Sequence, residues 1–204
     1  MKKEKSTEEL ILKAAEEVFI EKGYAAARTT EIAKRAGVNH GMLHYYYRTK
    51  EQLFDIVFRK QVDFLSDSAK HMLLSSQSFE DIISKIIENH FNMIQKNPRV
   101  LSFIATEVNN NTSCRQVWEN SVKTTFLPLL DGLTKILQKE YGFGKIRETD
   151  PLNYLLTILS LNSFVFLIQP LFNNIASIKG LDWDDLLKRR RAENIRLALL
   201  SLKP

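Results

Sequence analysis

Between Arg28 and Lys50 the chain gathers side chains whose types and spacing could bind a nucleic acid. His40, Gly41, Met42, His44 and Tyr45 fall close together on a short helical stretch, and Arg28, Thr29, Thr30, Asn39 and Lys50 flank it. Counted in helical turns from Leu43, which is expected to be buried, Gly41, His44, Tyr45 and Arg48 point away from the core, with His40 and Met42 on the flanks. Imidazoles, hydroxyls and a cation can donate to phosphate oxygens or read base edges. Gly41 needs a reason of its own, because a glycine on an exposed helical face lowers helix propensity by roughly 1 kcal/mol relative to alanine. Close approach of the backbone to a ligand is one such reason.

Two short helices must hold these side chains. The pattern predicts the first over about 30–36, with Ile32, Ala33 and Ala36 on its apolar face. Gly37 then ends it, because glycine accepts a positive φ without steric cost. A second helix is expected over about 39–46, with Val38 and Leu43 turned inward and Tyr46 and Tyr47 packing inward beside them. This is a helix-turn-helix, whose second helix is shaped to enter a DNA major groove. The alternative is an ordinary helical hairpin with half of the aromatic run Tyr45-Tyr46-Tyr47 in its core.

In register, Thr29, Thr30, Ile32, Ala33, Ala36, Gly37, Val38, Gly41, Leu43, Tyr46, Lys50, Glu51 and Leu53 resemble the DNA-binding motif of TetR-family transcriptional regulators. Asn39, His44, Tyr45, Tyr47 and Thr49 depart from the family's usual residues, and His44 does so at a position the family often uses against DNA. The resemblance covers roughly residues 6–65. It implies that Arg28, Thr30, Tyr45 and Lys50 hold phosphates, that His40, Gly41, Met42 and His44 face base edges, and that Thr29 and Asn39 belong to the same DNA-binding set. It further implies a homodimer, paired through the two C-terminal helices, that binds a palindromic operator in double-stranded DNA as a ligand-released repressor. Charged substitutions at Leu161 and Val165 are the expected way to part such a dimer.

Composition agrees with a helical globular protein. Across 204 residues the apolar and charged fractions are 44% and 26%, with seven glycines, five prolines and no clear strand alternation. The formal net charge is +5. Residues 22–60 contain eight Lys or Arg and three acids, so this short segment carries the whole excess, as a phosphate-binding surface would. The lone Cys114 cannot form an intramolecular disulfide, and without a resolving partner it is expected to be inert. Acids rather than an apolar run follow Met1-Lys2-Lys3-Glu4-Lys5-Ser6, so no secretory signal is expected and the protein is placed in the cytoplasm.

Cap signals divide the rest of the chain. Ser6 with Glu9 forms a capping box for a first helix, which carries Leu10, Ile11, Ala14, Ala15, Val18 and Phe19 and is expected to end before Gly23. Thr49 with Gln52 opens a fourth helix, running from about Lys50 into the low seventies as a stiff connector. Ser78 caps a helix that carries Ile83, Ile87, His90, Phe91 and Ile94; Asn97-Pro98 is expected to stop it and to start the next helix at the proline. That next helix should end near Val108. Residues 109–113 read as a loop, and 114–141 as one helix kinked at Pro128.

Asp150-Pro151 and Asp182 cap two last helices. The apolar run from Leu152 to Ile178 is assigned to a buried core and not to a membrane, because Asn153, Asn162, Gln169, Pro170, Asn173 and Asn174 interrupt it. The expected fold is all-α. An N-terminal three-helix helix-turn-helix DNA-binding domain, 1–60, is joined by a long helix to a larger C-terminal helical domain, 61–204, for effector binding and dimerisation.

In that second domain His90, Phe91, Ile94, Phe103, Trp118, Phe126 and Phe164 are the candidate lining of a site for a small apolar effector. The same residues could equally fill a core. His40 and His44 have the i, i+4 spacing of a metal pair, but no cysteine or acid nearby completes one, so neither metal nor cofactor is expected. The run Lys188-Arg189-Arg190-Arg191 spreads around a helix and reads as a solvated face flanking a dimer interface. No glycine-rich phosphate loop, nucleophile elbow or His-Glu metal motif occurs, so no enzyme is expected. A ligand-responsive DNA-binding regulator ranks first, and a helical protein-interaction module without DNA or effector binding second.

Overall fold

A computed structural model describes residues 6–70 and 78–204. The expected end of the fourth helix in the low seventies lies outside the described residues, as does the charged run before Ser6. The described residues are all-α, with no strand. Helices α1 (Thr7–Ala26), α2 (Thr29–Ala36), α3 (His40–Tyr46) and α4 (Lys50–Lys70) follow in order, then α5 (Phe79–Lys96), α6 (Val100–Asn110) and α7 (Thr112–Ser121). A π-helical segment, Val122–Phe126, leads into α8 (Leu127–Gly142), followed by α9 (Pro151–Leu167), α10 (Gln169–Ile178) and α11 (Trp183–Leu200).

Side-chain caps set several of these starts. Ser6 and Glu9 make the reciprocal capping box; Ser78, Asp150 and Asp182 each accept the N–H three residues on. Such caps satisfy amides that the first helical turn leaves without partners, and each is worth about 1 kcal/mol.

Four local expectations change. The helix α1 does not end before Gly23 but breaks there, at φ 73 and ψ 172, and continues to Ala26. Proline 98 does not start α6, whose N-cap is Arg99 in the helical region. The polar tract 109–113 is no loop: α6 runs to Asn110, α7 begins at Thr112, and Asn111 alone turns the chain while its Oδ1 accepts the Ser113 and Cys114 N–H groups. The expected single helix over 114–141 widens into the π-helical segment just before Pro128, because a proline cannot donate to the turn behind it.

The chain is organised as two compact units that do not follow chain order: Met1–Phe64 with Arg99–Asn120, and Leu65–Pro98 with Ser121–Pro204. Whereas the division read from the sequence falls at residue 60, α6 and α7 belong with α1–α3. In the first unit Ile11, Ala15, Val18 and Phe19 of α1 pack with Ile32 of α2, Leu43 of α3 and Leu53, Val57 and Phe58 of α4, all essentially buried. Phe103 of α6 completes this core, 6.1 Å from Phe54 and 6.0 Å from Phe58 between ring centroids. Each such side chain contributes roughly 1.5–3 kcal/mol by leaving water.

The second unit centres on Ile83, Ile87, Leu133, Leu137, Tyr154, Ile158, Ala198 and Leu202. A polar layer crosses it. Asn162, wholly buried, donates to the Ile87 carbonyl at 2.9 Å and to His90 Nδ1 at 3.2 Å, and accepts from Asn194 Nδ2 at 2.9 Å. No single helix among the described residues is long and apolar enough to cross a membrane; α9 and α10 meet these criteria only as a pair, bent by 63°. Within the single chain one side of that pair is buried, through Tyr154, Ile158, Asn162, Val165, Phe166 and Ala176, while Leu152, Leu156, Phe164, Leu167, Leu171, Phe172, Ile175 and Ile178 are exposed. The register on α9 also differs from expectation. Val165 is buried within its own unit, whereas Leu161 is half-buried.

Candidate nucleic-acid interface

The turn between α2 and α3 is built by two residues. Gly37, at φ 70 and ψ 25, closes α2 in the left-handed region, and its N–H and that of Val38 return to the Lys34 and Ala33 carbonyls. Asn39 then caps α3, its Oδ1 accepting the Met42 N–H at 2.7 Å. Ala36 and Leu43 are buried on either side of this turn. With that anchor, α3 presents its other face to solvent.

The sequence-selected residues lie on this surface. Arg28, Thr30, Asn39, His40, Gly41, Met42, His44 and Tyr45 are exposed, and Thr29 and Lys50 are half-buried. Thr29 Oγ1 lies 3.0 Å from His40 Nε2, tying the start of α2 to the start of α3. The His40 and His44 rings meet edge to face at 4.4 Å, and His44 Nδ1 donates to the Arg48 carbonyl at 3.3 Å. That bond turns His44 Nε2 outward as the available ring nitrogen. Tyr45 is 82% exposed. Tyr46 is exposed too, against the expectation that it packs inward: α3 ends there, and the extended Tyr47 takes the buried place.

The cations divide into two groups. Lys22 and Arg35 are spent on Glu31 and Glu21, Arg59 on Asp55, and Lys60 on Glu16. Lys22, with Arg35 beside it, holds the Glu31 carboxyl below its usual range. Arg28, Lys34, Arg48 and Lys50 form no ion pair among the described residues. Half of the eight cations counted in sequence are therefore ion-paired, and Lys34 and Arg48, absent from the set selected in sequence, are among the other half.

Lys50 starts α4, where Thr49 Oγ1 accepts the Gln52 N–H at 3.1 Å. Its ammonium lies 4.5 Å from the centroid of the Tyr24 ring. Tyr24 Oη donates to Glu51 Oε1 at 2.5 Å. Partial burial, then that carboxylate, push the phenol up to about 12.

The effector candidates are divided between the two units. Phe103 and Trp118 fall in the first unit, and His90, Phe91, Ile94, Phe126 and Phe164 in the second. His90, Phe91 and Ile94 are buried, but Phe164 is 57% exposed on α9. Burial lowers the His90 pKa to about 4, so the ring is neutral and Nε2 carries its proton while Nδ1 accepts from Asn162. Cys114 is buried; burial, then Glu107 and Asp55, push its thiol up to about 12, which keeps it from acting as a nucleophile.

Residues 11–57 match the sequence model described as "Bacterial regulatory proteins, tetR family". The chain is 26% identical over 139 residues to the fatty acid metabolism regulator protein of Bacillus subtilis (strain 168), covering 68% of this chain and 70% of that protein. It is 33% identical over 85 residues to the HTH-type transcriptional activator FasR of Mycolicibacterium smegmatis, covering 42% of this chain and 39% of that protein. The fatty acid degradation regulator FadR of Bacillus halodurans shares the fold, with a TM-score of 0.55 at 19% identity over 95% of this chain and 97% of that one. An exposed α3 on a buried helix-turn-helix core, matched by this sequence model over the same residues, makes residues 11–57 similar to the DNA-binding segment of TetR-family regulators.

Proposed function

We propose that this protein represses transcription as a homodimer on a palindromic operator and is released by a small, mostly apolar effector. The observation that carries the DNA part is the charge division around α3: Arg28, Lys34, Arg48 and Lys50 carry no ion pair, whereas their basic neighbours do. Arg28, Thr30, Tyr45 and Lys50 hold phosphates, joined by Lys34 and Arg48. His40, Gly41, Met42 and His44 face base edges, with Thr29 and Asn39 holding the two helices in register for them.

The second copy covers the open face of α9 and α10, where Leu152, Leu156, Phe164 and Leu167 leave an apolar stripe exposed. Effector binding is assigned to the second unit, around His90, Phe91 and Ile94. Acyl compounds are the first effectors to test, because two similar proteins are named for fatty acid metabolism and degradation. Titration with the DNA upstream of its own gene tests the reading. Binding should weaken steeply with salt, and Lys50→Ala should lower the salt slope by about one counterion. Equal affinity for operator and unrelated DNA would leave only a non-specific cation surface.

A further inference from the structure

Glu107 lies near the end of α6 and is 6% exposed, yet it forms no ion pair among the described residues. A buried carboxylate without a cation is costly unless hydrogen bonds hold it. Its Oε1 accepts the backbone N–H of Tyr24 at 2.8 Å. That amide is free to be taken because α1 breaks at Gly23, where a side chain would approach the same oxygen to 3.1 Å. The glycine, the break and the acid thus form one local device, all within the first unit.

Tyr24 carries the device forward to α4. Its ring lies 4.7 Å from Phe54 and under the Lys50 ammonium, and its hydroxyl is bound by Glu51. Lys50 therefore rests on a tyrosine whose backbone is fixed by α6. We propose that Glu107 is a positioning residue for DNA binding, which acts through Tyr24 to hold Lys50 where it meets a phosphate; this rests on the reading of Lys50 as a phosphate contact. With Glu107 removed, the Tyr24 backbone loses its partner, the ring shifts, and Lys50 must be ordered anew at each binding event.

Operator titrations over a range of salt, with wild type, Lys50→Ala, Glu107→Ala and the double variant, test this. Glu107→Ala is expected to weaken binding about tenfold and to flatten the salt slope by up to about one counterion, as Lys50→Ala does. In the Lys50→Ala background Glu107→Ala should change neither quantity. Glu107→Gln, which keeps an acceptor oxygen, should restore most of the affinity. A Glu107→Ala protein that binds as wild type, or one that weakens both backgrounds by the same factor, overturns the proposal. Lys50→Ala with wild-type affinity and slope instead overturns the phosphate reading, and the proposal with it. Should Glu107→Ala not fold, Tyr24→Leu carries the test with Glu107 in place: a loss of slope supports the link, and an unaltered slope overturns it.

Discussion

Asn162 and His90 show what a single buried polar group demands. Both Asn162 amide hydrogens and its oxygen are engaged, so Asn162→Leu strands the Ile87 carbonyl and the Asn194 amide and should lower stability by about 2–4 kcal/mol, read by chemical denaturation. His90 adds a pH dependence. Its pKa is lowered to about 4 in the folded chain, against about 6.5 unfolded, so the unfolded chain takes up the proton first as pH falls. Stability should hold above about pH 7, decline below 6.5, and have lost roughly 3 kcal/mol by pH 4. His90→Gln, which removes the titration, should flatten that decline; an equal decline in the variant would place its origin elsewhere. That His90 sits on an apolar stripe was legible in sequence. Its partners were not, because Asn162 lies 72 residues away and Asn194 a further 32, and nothing in local periodicity pairs them.

At the scale of the element, caps were legible because they are local contracts between a side chain and an amide three residues on. Ser6, Ser78, Asp150 and Asp182 all act as read. Polar composition misled at residues 109–113, where asparagines that favour turns are overridden by packing of α6 against α1. The two glycines of the helix-turn-helix, Gly37 in the turn and Gly41 inside α3, separate conformation from contact. At Gly37 a side chain meets nothing within 4 Å but must adopt φ 70, so Gly37→Ala should lower stability by about 1–2 kcal/mol through conformation alone. At Gly41 the backbone is helical and a side chain would meet Asn39 Oδ1 at 3.4 Å. Gly41→Ala should therefore leave stability unchanged or raise it by up to about 1 kcal/mol while weakening operator binding. A stabler variant with undiminished affinity would remove Gly41 from the interface.

For the whole molecule, the all-α class and the helix-turn-helix were readable from periodicity and the glycine turn. The face that α9 turns to solvent was not, because an almost wholly apolar helix gives no polar side to count from. The exposed stripe runs through Leu152, Leu156, Phe164 and Leu167. Leu156→Glu with Phe164→Glu should yield a folded monomer by native mass measurement, whereas charging Val165 should damage the fold itself. A wild-type monomer at micromolar concentration would refute the pairing. The backbone also passes between the two compact units three times, at 64/65, 98/99 and 120/121. A protein engineer who spliced the first 64 residues onto another domain would carry over α3 but leave behind Phe103 and Glu107, and with them part of the hydrophobic centre and the clasp on Tyr24. A working transplant has to take α6 and α7 as well, so the unit of exchange in this protein is a pair of separated segments.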